Sequence, residues 1–399
     1  MRNVGRLLPM REHPREVIPD ASVLVRDGVV AWLGSERELS AEVVGRDQVD
    51  ELDAEGRVVI PGFVDPHTHL IWAGTRREEF VARLAGEPYD GGGINTTVDA
   101  TRAASDDELF ELALARGRRM IGHGTTSVEI KTGYGLTVTD ELRCLDVIAR
   151  LDHVLPWHVE ATYLGAHVVP NGRERDEYVD EVIATLPEAA ARGARWVDVF
   201  CDVGVFTIDE TRRILEAGRA AGLAGRLHAE EIGHTGAAEL AAETGCASAD
   251  HLEHVTSEGA RAMATAGVVG VLLPSVTLSL RTFAFGQYQV LRDAGVPLAL
   301  STDCNPGTSW CESMPYVVQL ACLVYGMPVP DALWAATRGG AAALRLPMAG
   351  RVDINAPADL AVLDVEHEAD LVAHLGAADT WRTIIAGRLW GAGHSPPVG

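Results

Sequence analysis

Cysteine is scarce in this sequence, with six residues among 399 and no CxxC pair. This scarcity excludes a disulfide-stapled fold and a zinc ribbon, because both need closely spaced cysteines. Scattered single thiols are typical of small core residues in a reducing compartment. The first residues, Met1 to Arg6, also lack the apolar core of a signal peptide. We therefore expect a cytoplasmic protein.

Positive charge and long apolar runs are lacking as well. The chain has 34 lysine and arginine residues against 57 aspartate and glutamate residues, which gives a formal net charge of −23. Such an acidic surface repels nucleic acids and anionic lipids. The most apolar run, Val268 to Leu273, stops at Pro274, far short of the roughly 20 residues that a membrane-spanning helix needs. We expect a small-molecule substrate as partner, and neither a nucleic acid nor a membrane.

The sequence does contain a β-rich segment at each end. Short apolar runs separated by the turns Asp27-Gly28 and Glu55-Gly56 fill the first 60 residues, and similar runs return from Ala358 onward. Both segments flank a long middle of different character. This arrangement predicts a small composite β-sandwich domain built from residues 1–60 plus 350–399, and a second domain of residues 61–349.

The middle of the chain alternates short apolar runs with amphipathic stretches. Ser105 to Glu108 and Thr139 to Glu141 are typical helix starts. The strand candidates are Val59–Val64, Thr125–Ile130, Val159–Leu164, Trp196–Phe200, Gly225–Leu227, Ala247–His251, Val268–Leu273 and Leu298–Ser301. Eight strands alternating with helices predict an α/β protein with a (β/α)8 TIM barrel. In that fold the chemistry lies at the carboxyl ends of the strands.

Histidine and aspartate recur at the ends of these candidates. His67 and His69 are two residues apart, so an extended backbone points both imidazoles the same way. His228, His251 and Asp303 lie at three later strand ends. Each residue alone is as well explained by a structural role, but four strand ends together favour a metal site. Imidazole and carboxylate ligands suit zinc or ferrous iron.

With these residues in place, the sequence resembles the amidohydrolase superfamily. The shared features are the His67-Thr68-His69 motif, the later His228, His251 and Asp303, and the closing segment from Gly350 to Asp364. A closer resemblance to one branch of the superfamily rests on family-specific segments: Asp65–Leu70, Gly91–Ile94, Thr101–Ser105, Gly133–Leu136, Gly165–His167, Val197–Phe200, His228–Ile232, Asp250–Leu252 and Asp303–Gly307. These segments follow the order of the branch from about Pro61 to Asp364.

The resemblance implies a hydrolase that opens the cyclic amide C–N bond of 4-imidazolone-5-propanoate, giving N-formimidoyl-L-glutamate in histidine degradation. It implies one zinc or iron ion per chain and a homodimer. The implied metal ligands are His67, His69, His228 and Asp303, and the implied catalytic residues are Glu231, His251 and Asp303. The implied substrate-binding residues are Arg76, Tyr134, His167, Glu231, Asn305, Gly307 and Thr308.

Two of these roles have a direct chemical reason. Glu231 lies three residues beyond His228, where a glutamate can take a proton from water and return it to a leaving nitrogen. Arg76 follows the histidine strand, and a guanidinium can bind a substrate carboxylate through two hydrogen bonds. A loop arginine taken alone is more often a solvated surface charge. Lys131 is expected past the end of its strand, so it should not bridge two metals.

The chain departs from the branch at a few neighbouring positions. Glu230 stands where the branch usually has aspartate, Cys304 where phenylalanine is common, and Thr308 where serine is common. Two alternatives stay open. An aminohydrolase that deaminates a cyclic amidine would share the ligand set and release ammonia, whereas a metal-free homologue acting as a scaffold would purify without stoichiometric metal.

Overall fold

The computed structural model describes residues 1–39, 50–86, 93–282, 286–377 and 379–390. Gly91 and Gly92, from one of the family-specific segments, and residues 391–399 lie outside the described residues. In the described part of the chain the strands are β1 (Val4–Leu7), β2 (Ile18–Arg26), β3 (Val29–Ser35), β4 (Val58–Pro61), β5 (Phe63–Asp65), β6 (Thr125–Lys131), β7 (His158–Ala166), β8 (Trp196–Cys201), β9 (Ala224–Ala229), β10 (Ser248–His251), β11 (Val269–Leu272), β12 (Leu298–Leu300), β13 (Leu360–Leu363), β14 (Thr380–Ile385) and β15 (Arg388–Trp390).

Helices connect and cover these strands. The described α-helices are Arg77–Leu84, Ile94–Ala103, Asp106–Gly122, Val138–Val154, Arg175–Ala191, Ile208–Ala220, Ala237–Thr244, Ser257–Ala266, Pro274–Leu280, Gly286–Ala294, Met314–Tyr325, Val329–Trp334, Gly340–Ala343 and Glu368–Ala373. A short 3-10 helix covers Glu36–Glu38 and a π-helical turn covers Ala335–Gly339. Among these helices, none is long and apolar enough to cross a membrane.

Strands β5 to β12 form one parallel sheet in chain order, as the TIM-barrel prediction requires. The first and last of these strands meet through hydrogen bonds. The His69 amide donates to the Cys304 carbonyl at 3.0 Å, and the Thr302 hydroxyl donates to the Asp65 carboxylate at 2.6 Å. The Ser301 hydroxyl donates to the same carboxylate. The (β/α)8 barrel is therefore confirmed, and Asp65 links its two closing strands.

Strands from both termini form a second sheet. Its order is β15-β14-β13-β4-β1-β2-β3, which makes one seven-stranded mixed sheet where the sequence predicts a β-sandwich. Side chains of this sheet form an apolar core of their own, which includes Val4, Val23, Val59, Leu360 and Val362. The two ends of the chain thus complete one sheet that packs beside the barrel.

The predicted strand Val59–Val64 is divided in the structure. Residues up to Pro61 belong to the terminal sheet, and Phe63 starts the barrel. Gly62 lies between them, where an added Cβ would come within 2.2 Å of the Thr126 side chain. Both halves of the run are completely buried, and the local sign of a break between them is Pro61-Gly62, a dipeptide typical of turns.

One smaller prediction was wrong: Lys131 is the last residue of β6 and not past it. The helix predicted to start at Thr139 to Glu141 is present and begins one residue earlier, at Val138, where the Thr137 hydroxyl caps it by accepting the Asp140 amide. The helix start at Ser105 is as predicted, with its hydroxyl accepting the Glu108 amide.

Candidate active site

Three histidines and an aspartate predicted as metal ligands meet at the carboxyl end of the barrel. His67 and His69 follow β5, His228 lies near the end of β9, and Asp303 follows β12. All four side chains are at most 3% exposed. Parallel strands place their carboxyl ends at the same edge of the barrel, which brings together residues up to 236 positions apart.

Their ligand atoms are spaced as a single metal ion requires. Asp303 Oδ1 is 3.5 Å from both His67 Nε2 and His69 Nε2, and His69 Nε2 is 3.4 Å from His228 Nε2. A tetrahedral site with bonds of about 2.0–2.1 Å places its ligand atoms roughly 3.4 Å apart. These three distances are those of ligands that share an ion. The groups whose ligand atoms all lie within 4.8 Å of one another are His67, His69 and His228, and His67, His251 and Asp303, so His67 belongs to both.

Two of these atoms also lack any other partner. His67 Nε2 and Asp303 Oδ1 are buried and have no hydrogen-bond partner among the described residues. A buried polar atom without a partner costs about 1–3 kcal/mol. A bound cation satisfies both atoms, so the donor set fits the implied metal.

The other ring nitrogens of two ligands face carboxylates. Asp250 Oδ2 lies 2.7 Å from His67 Nδ1, and Asp198 Oδ2 lies 3.0 Å from His228 Nδ1. The His67–Asp250 contact is a hydrogen bond, and an Nδ1–H group that donates to a carboxylate leaves Nε2 free for a metal. The His228–Asp198 side-chain contact lies outside hydrogen-bond geometry, and Asp198 Oδ1 instead accepts the His228 backbone amide at 3.1 Å. Asp198 and Asp250 lie in family-specific segments, but their role could not be read from the sequence.

Glu231 and His251 lie next to the four ligands. Glu231 Oε2 is 3.7 Å from His251 Nδ1, and both side chains are at most 10% exposed. His251 also offers a nitrogen within 4.8 Å of ligand atoms of His67 and Asp303. Burial raises the pKa of Glu231 well above its ordinary value, and the nearby Glu253 and Asp303 carboxylates raise it further. A glutamate of raised pKa is suited to accept and return a proton near neutral pH.

The loop that carries Glu231 is fixed by Asp202. The Asp202 carboxylate accepts the backbone amides of Glu231, Ile232 and Gly233 at 2.7, 2.9 and 3.1 Å. The neighbouring Glu230 turns away from the cavity and accepts the Gly236 amide at 2.9 Å. It also contacts His234 Nδ1 at 2.9 Å, and His234 is 51% exposed. Glu230 and His234 therefore shape the loop and stay outside the metal site.

Backbone strain is concentrated at the same strand ends. Glu230, His251 and Asp303 have positive φ angles of 57°, 79° and 46°. Residues other than glycine pay about 1–3 kcal/mol for such conformations, which persist where the surrounding structure holds them. At His251 and Asp303, the positive φ angle sets the direction of a proposed functional side chain at the end of its strand.

The ligands open into a cavity of about 700 Å³. Its walls include six of the seven residues predicted to bind substrate: Arg76, Tyr134, His167, Glu231, Asn305 and Thr308. Gly307 is not on the cavity wall, but an added Cβ there would lie 2.3 Å from the Arg76 guanidinium. Because Gly307 has no side chain, the Arg76 guanidinium can pack against its backbone. Phe200 and His254 also line the cavity, and sequence reasoning assigned neither to it.

The arginine at the cavity is held by an acidic neighbour. Arg76 Nε and Nη2 donate to the two oxygens of Glu79 at 2.9 and 2.7 Å. The Arg76 side chain is 4% exposed, whereas Arg77 is exposed. Of these two adjacent arginines, only Arg76 lines the cavity.

His167 and Asn305 are oriented by their own loops. His167 Nδ1 lies 2.9 Å from the Gly133 carbonyl, and its ring stacks on His69 with 5.2 Å between centroids. Burial lowers the pKa of His167 to about 3, so its ring is neutral and donates Nδ1–H to that carbonyl. Asn305 Oδ1 accepts the amides of Gly307 and Thr308, both at 2.8 Å. This fixes the loop that follows Asp303.

Comparison with known proteins gives the same family as the site. The family model described as "Amidohydrolase family" matches residues 58–390. An imidazolonepropionase of Salinispora tropica is 46% identical over 381 residues, covering 94% of each chain. An imidazolonepropionase of Myxococcus xanthus is 43% identical over 405 residues, covering 98% of this chain and 96% of the relative.

Solved structures agree on the fold. A 5-methylcytosine deaminase from Klebsiella pneumoniae, liganded with phosphonocytosine, superposes with a TM-score of 0.74 at 17% identity, covering 99% of each chain. At that identity the likeness extends to the fold alone. The family-model match and the sequence relatives show that this chain belongs to the amidohydrolase family.

Proposed function

We propose that this chain is an imidazolonepropionase, which hydrolyses the cyclic amide C–N bond of 4-imidazolone-5-propanoate to N-formimidoyl-L-glutamate. The observation that carries the proposal is the 42–46% identity to imidazolonepropionases over at least 90% of this chain. The site supports it with metal-ligand spacing, an adjacent buried glutamate and an arginine in the cavity wall.

The proposed ligands are His67, His69, His228 and Asp303, holding one zinc or iron ion. When bound, such an ion lowers the pKa of water toward neutrality and polarises a carbonyl group. In the reaction, the oxygen of water is added to the ring carbonyl carbon and the bond from that carbon to the ring nitrogen breaks. The carbonyl carbon becomes a carboxylate, and the leaving nitrogen gains a proton.

The chain's own residues manage the protons and the charge. Glu231 takes a proton from the attacking water and returns it to the leaving nitrogen, with Asp303 assisting the transfer. His251 donates a hydrogen bond to the carbonyl oxygen as negative charge develops there. Burial lowers the pKa of His251 well below its ordinary value, so its ring is neutral and one ring nitrogen carries the hydrogen.

The walls of the cavity position the substrate. Arg76 binds the propionate group, and its guanidinium stays charged at any working pH. Because the whole chain is acidic, long-range attraction does not draw in an anionic substrate. The affinity must then come from local donors: Arg76, Tyr134, His167 and the loop of Asn305, Gly307 and Thr308.

The proposal also covers the domain boundaries, the cellular location and the oligomeric state. The composite terminal domain comprises residues 1–60 plus 350–399, and the barrel comprises residues 61–349. A cytoplasmic location is supported by the six cysteines, all of them free thiols. A homodimer is supported by the family resemblance.

Incubation of the protein with 4-imidazolone-5-propanoate tests the proposal. We expect the absorption of the imidazolone ring to disappear, one N-formimidoylglutamate to form per substrate, and no ammonia to be released. Stoichiometric ammonia from a cyclic amidine, with no turnover of the imidazolone, would identify a deaminase instead. Protein that purifies without metal and turns over neither substrate would indicate a scaffold.

A further inference from the structure

Beneath the proposed ligands lies a cluster of buried charges to which the reaction assigns no role. This charge cluster consists of Glu129, Lys131, Asp198, Arg226 and Asp250, and all five side chains are completely buried. Ions buried this deeply cost several kcal/mol each, and pairing them rarely gives a net gain in stability. We therefore ask which functional side chains the cluster positions.

Lys131 lies at the centre of the cluster. Its Nζ is 2.8 Å from Glu129 Oε1, 2.8 Å from Asp198 Oδ2 and 3.8 Å from Asp250 Oδ2. Its backbone amide donates at 2.8 Å to the carbonyl of Thr68, the residue between His67 and His69. Both the main chain and the side chain of Lys131 are thus tied to the metal-binding end of the barrel.

Lys131 is also the only lysine in the sequence, and every other basic side chain apart from histidine is arginine. An ammonium is a compact point charge with three donors, whereas a guanidinium is a broad planar fork. The position between Asp198 and Glu129 at 2.8 Å from each suits the smaller group. Burial lowers the pKa of Lys131, but the Asp198 and Glu129 carboxylates outweigh burial and raise it, so the group is an ammonium ion.

The two carboxylates nearest to the ligands connect Lys131 to the metal site. Asp198 faces His228 Nδ1 and Asp250 faces His67 Nδ1. Arg226 is the second cation of the cluster, and it is anchored by the carbonyls of Pro66 and Ala343 at 2.7 and 3.0 Å. Three carboxylates and two cations leave one negative charge uncompensated, which complements a bound metal cation.

We propose that Lys131 is a positioning residue for the metal site: its ammonium contacts Asp198 at 2.8 Å and attracts Asp250 from 3.8 Å, and these two carboxylates hold His228 and His67 with Nε2 turned toward the ion. The proposal rests on the proposed metal-dependent function. Under this proposal Lys131 stays an ammonium ion and is not the bridging carbamate of a two-metal site. A carbamate would replace the ammonium by a negative charge facing Asp198 and Glu129.

Zinc affinity, measured without substrate, tests this role. Metal-free parent, Lys131→Met and Glu160→Gln proteins are titrated with zinc against a chromophoric chelator. Lys131→Met keeps the length of the side chain and removes its charge, and we expect its Kd for zinc to rise by about 10–100-fold, as for other partners of metal ligands. Glu160→Gln is the control, because it neutralises a buried barrel carboxylate that contacts His158, Arg195 and Trp196, none of which belongs to the charge cluster. Its Kd should stay near that of the parent.

Equal zinc affinity in Lys131→Met and the parent would overturn the positioning role and leave the proposed function intact. A parent protein that binds no zinc and no iron would instead overturn the proposed function. If Lys131→Met does not fold, the single lysine gives a second measurement on the parent. In protein labelled with ¹⁵N-lysine, the one Nζ resonance should shift as zinc is added and stop shifting at one equivalent. A resonance that does not change would reject the proposal.

Discussion

The floor and the mouth of the cavity differ in how their charges are held. The floor consists of the charge cluster and the ligand histidines above it, and these side chains are at most 3% exposed. The mouth consists of Arg76, Glu79, Val203 and Ile232, of which Val203 and Ile232 are 55% and 51% exposed. In the floor, each carboxylate contacts two or more partners within the barrel. The mouth is partly open to solvent, so we assign metal binding to the floor and substrate selection to the mouth.

Removal of a floor ligand should have the largest effect. His67→Ala takes away one proposed metal ligand and leaves the Asp250 carboxylate without its imidazole, so we expect metal and activity to be lost together. Elemental analysis and the imidazolone assay measure the two losses. His153→Ala is the control, because His153 is exposed on the helix Val138–Val154. If His67→Ala kept stoichiometric metal, the assignment of the floor would be wrong.

Glu231 lies between the floor and the mouth, and its variant should separate metal binding from chemistry. Glu231→Gln keeps the size of the side chain but cannot accept a proton. We expect kcat to fall by roughly 100- to 10,000-fold, the usual contribution of a general acid–base group. Metal content should stay at the parental value, because Glu231 is not a proposed ligand. Turnover at the parental rate would remove Glu231 from proton transfer.

At the mouth, a smaller and more selective effect is expected. Arg76→Met removes the cation proposed to bind the propionate and leaves the Glu79 carboxylate to repel it. Charged hydrogen bonds contribute about 1.5–3 kcal/mol, so KM should rise about tenfold or more. Metal content should not change. Arg77→Met is the matched control because Arg77 is exposed. Identical kinetics in both variants would show that Arg76 does not contact the substrate.

The smallest effect is expected far from both regions, where the barrel meets the terminal sheet. His123 Nδ1 is 2.7 Å from Asp379, and this hydrogen bond raises the pKa of His123 above its ordinary value of 6.5. A raised pKa means that the stabilisation is fully present below about pH 6.5 and is lost as the pH rises through the folded-state pKa. His123→Gln should therefore cost about 0.5–1 kcal/mol of unfolding free energy at pH 5.5 and less at pH 8.5.

Denaturant unfolding at the two pH values measures this difference. Metal content and KM should equal those of the parent, which would separate general stability from the functions of floor and mouth. A cost that is larger at pH 8.5 would contradict the assigned ion pair.

The sequence alone predicted much of the fold because its strands follow local patterns. Parallel strands such as Leu298–Leu300 are continuous apolar runs, and polar residues follow at their carboxyl ends. Pro61-Gly62 is typical of a turn, but that the chain changes sheets there could not be predicted, because it depends on packing against Thr126, more than 60 residues away. The candidate ligands were recognisable as histidine and aspartate at strand ends, together with the family resemblance.

The charge cluster could not be predicted in the same way. Asp250 and His67 are 183 residues apart, and only closure of the barrel brings them within 2.7 Å. Lys131 was also predicted in the wrong position: the sequence suggested that it lies past its strand, whereas it is the last residue of β6. Its being the only lysine in the chain was visible in the sequence, but its meaning required the carboxylates around it.

Metal reconstitution tests the central claim most directly. Protein stripped by a chelator is titrated with zinc or ferrous iron, and the rate of imidazolone loss is recorded at each addition. The four converging side chains predict that activity is absent without metal, rises linearly and reaches its plateau at one equivalent per chain. A plateau at two equivalents, or full activity in the stripped protein, would contradict a single-metal site at His67, His69, His228 and Asp303.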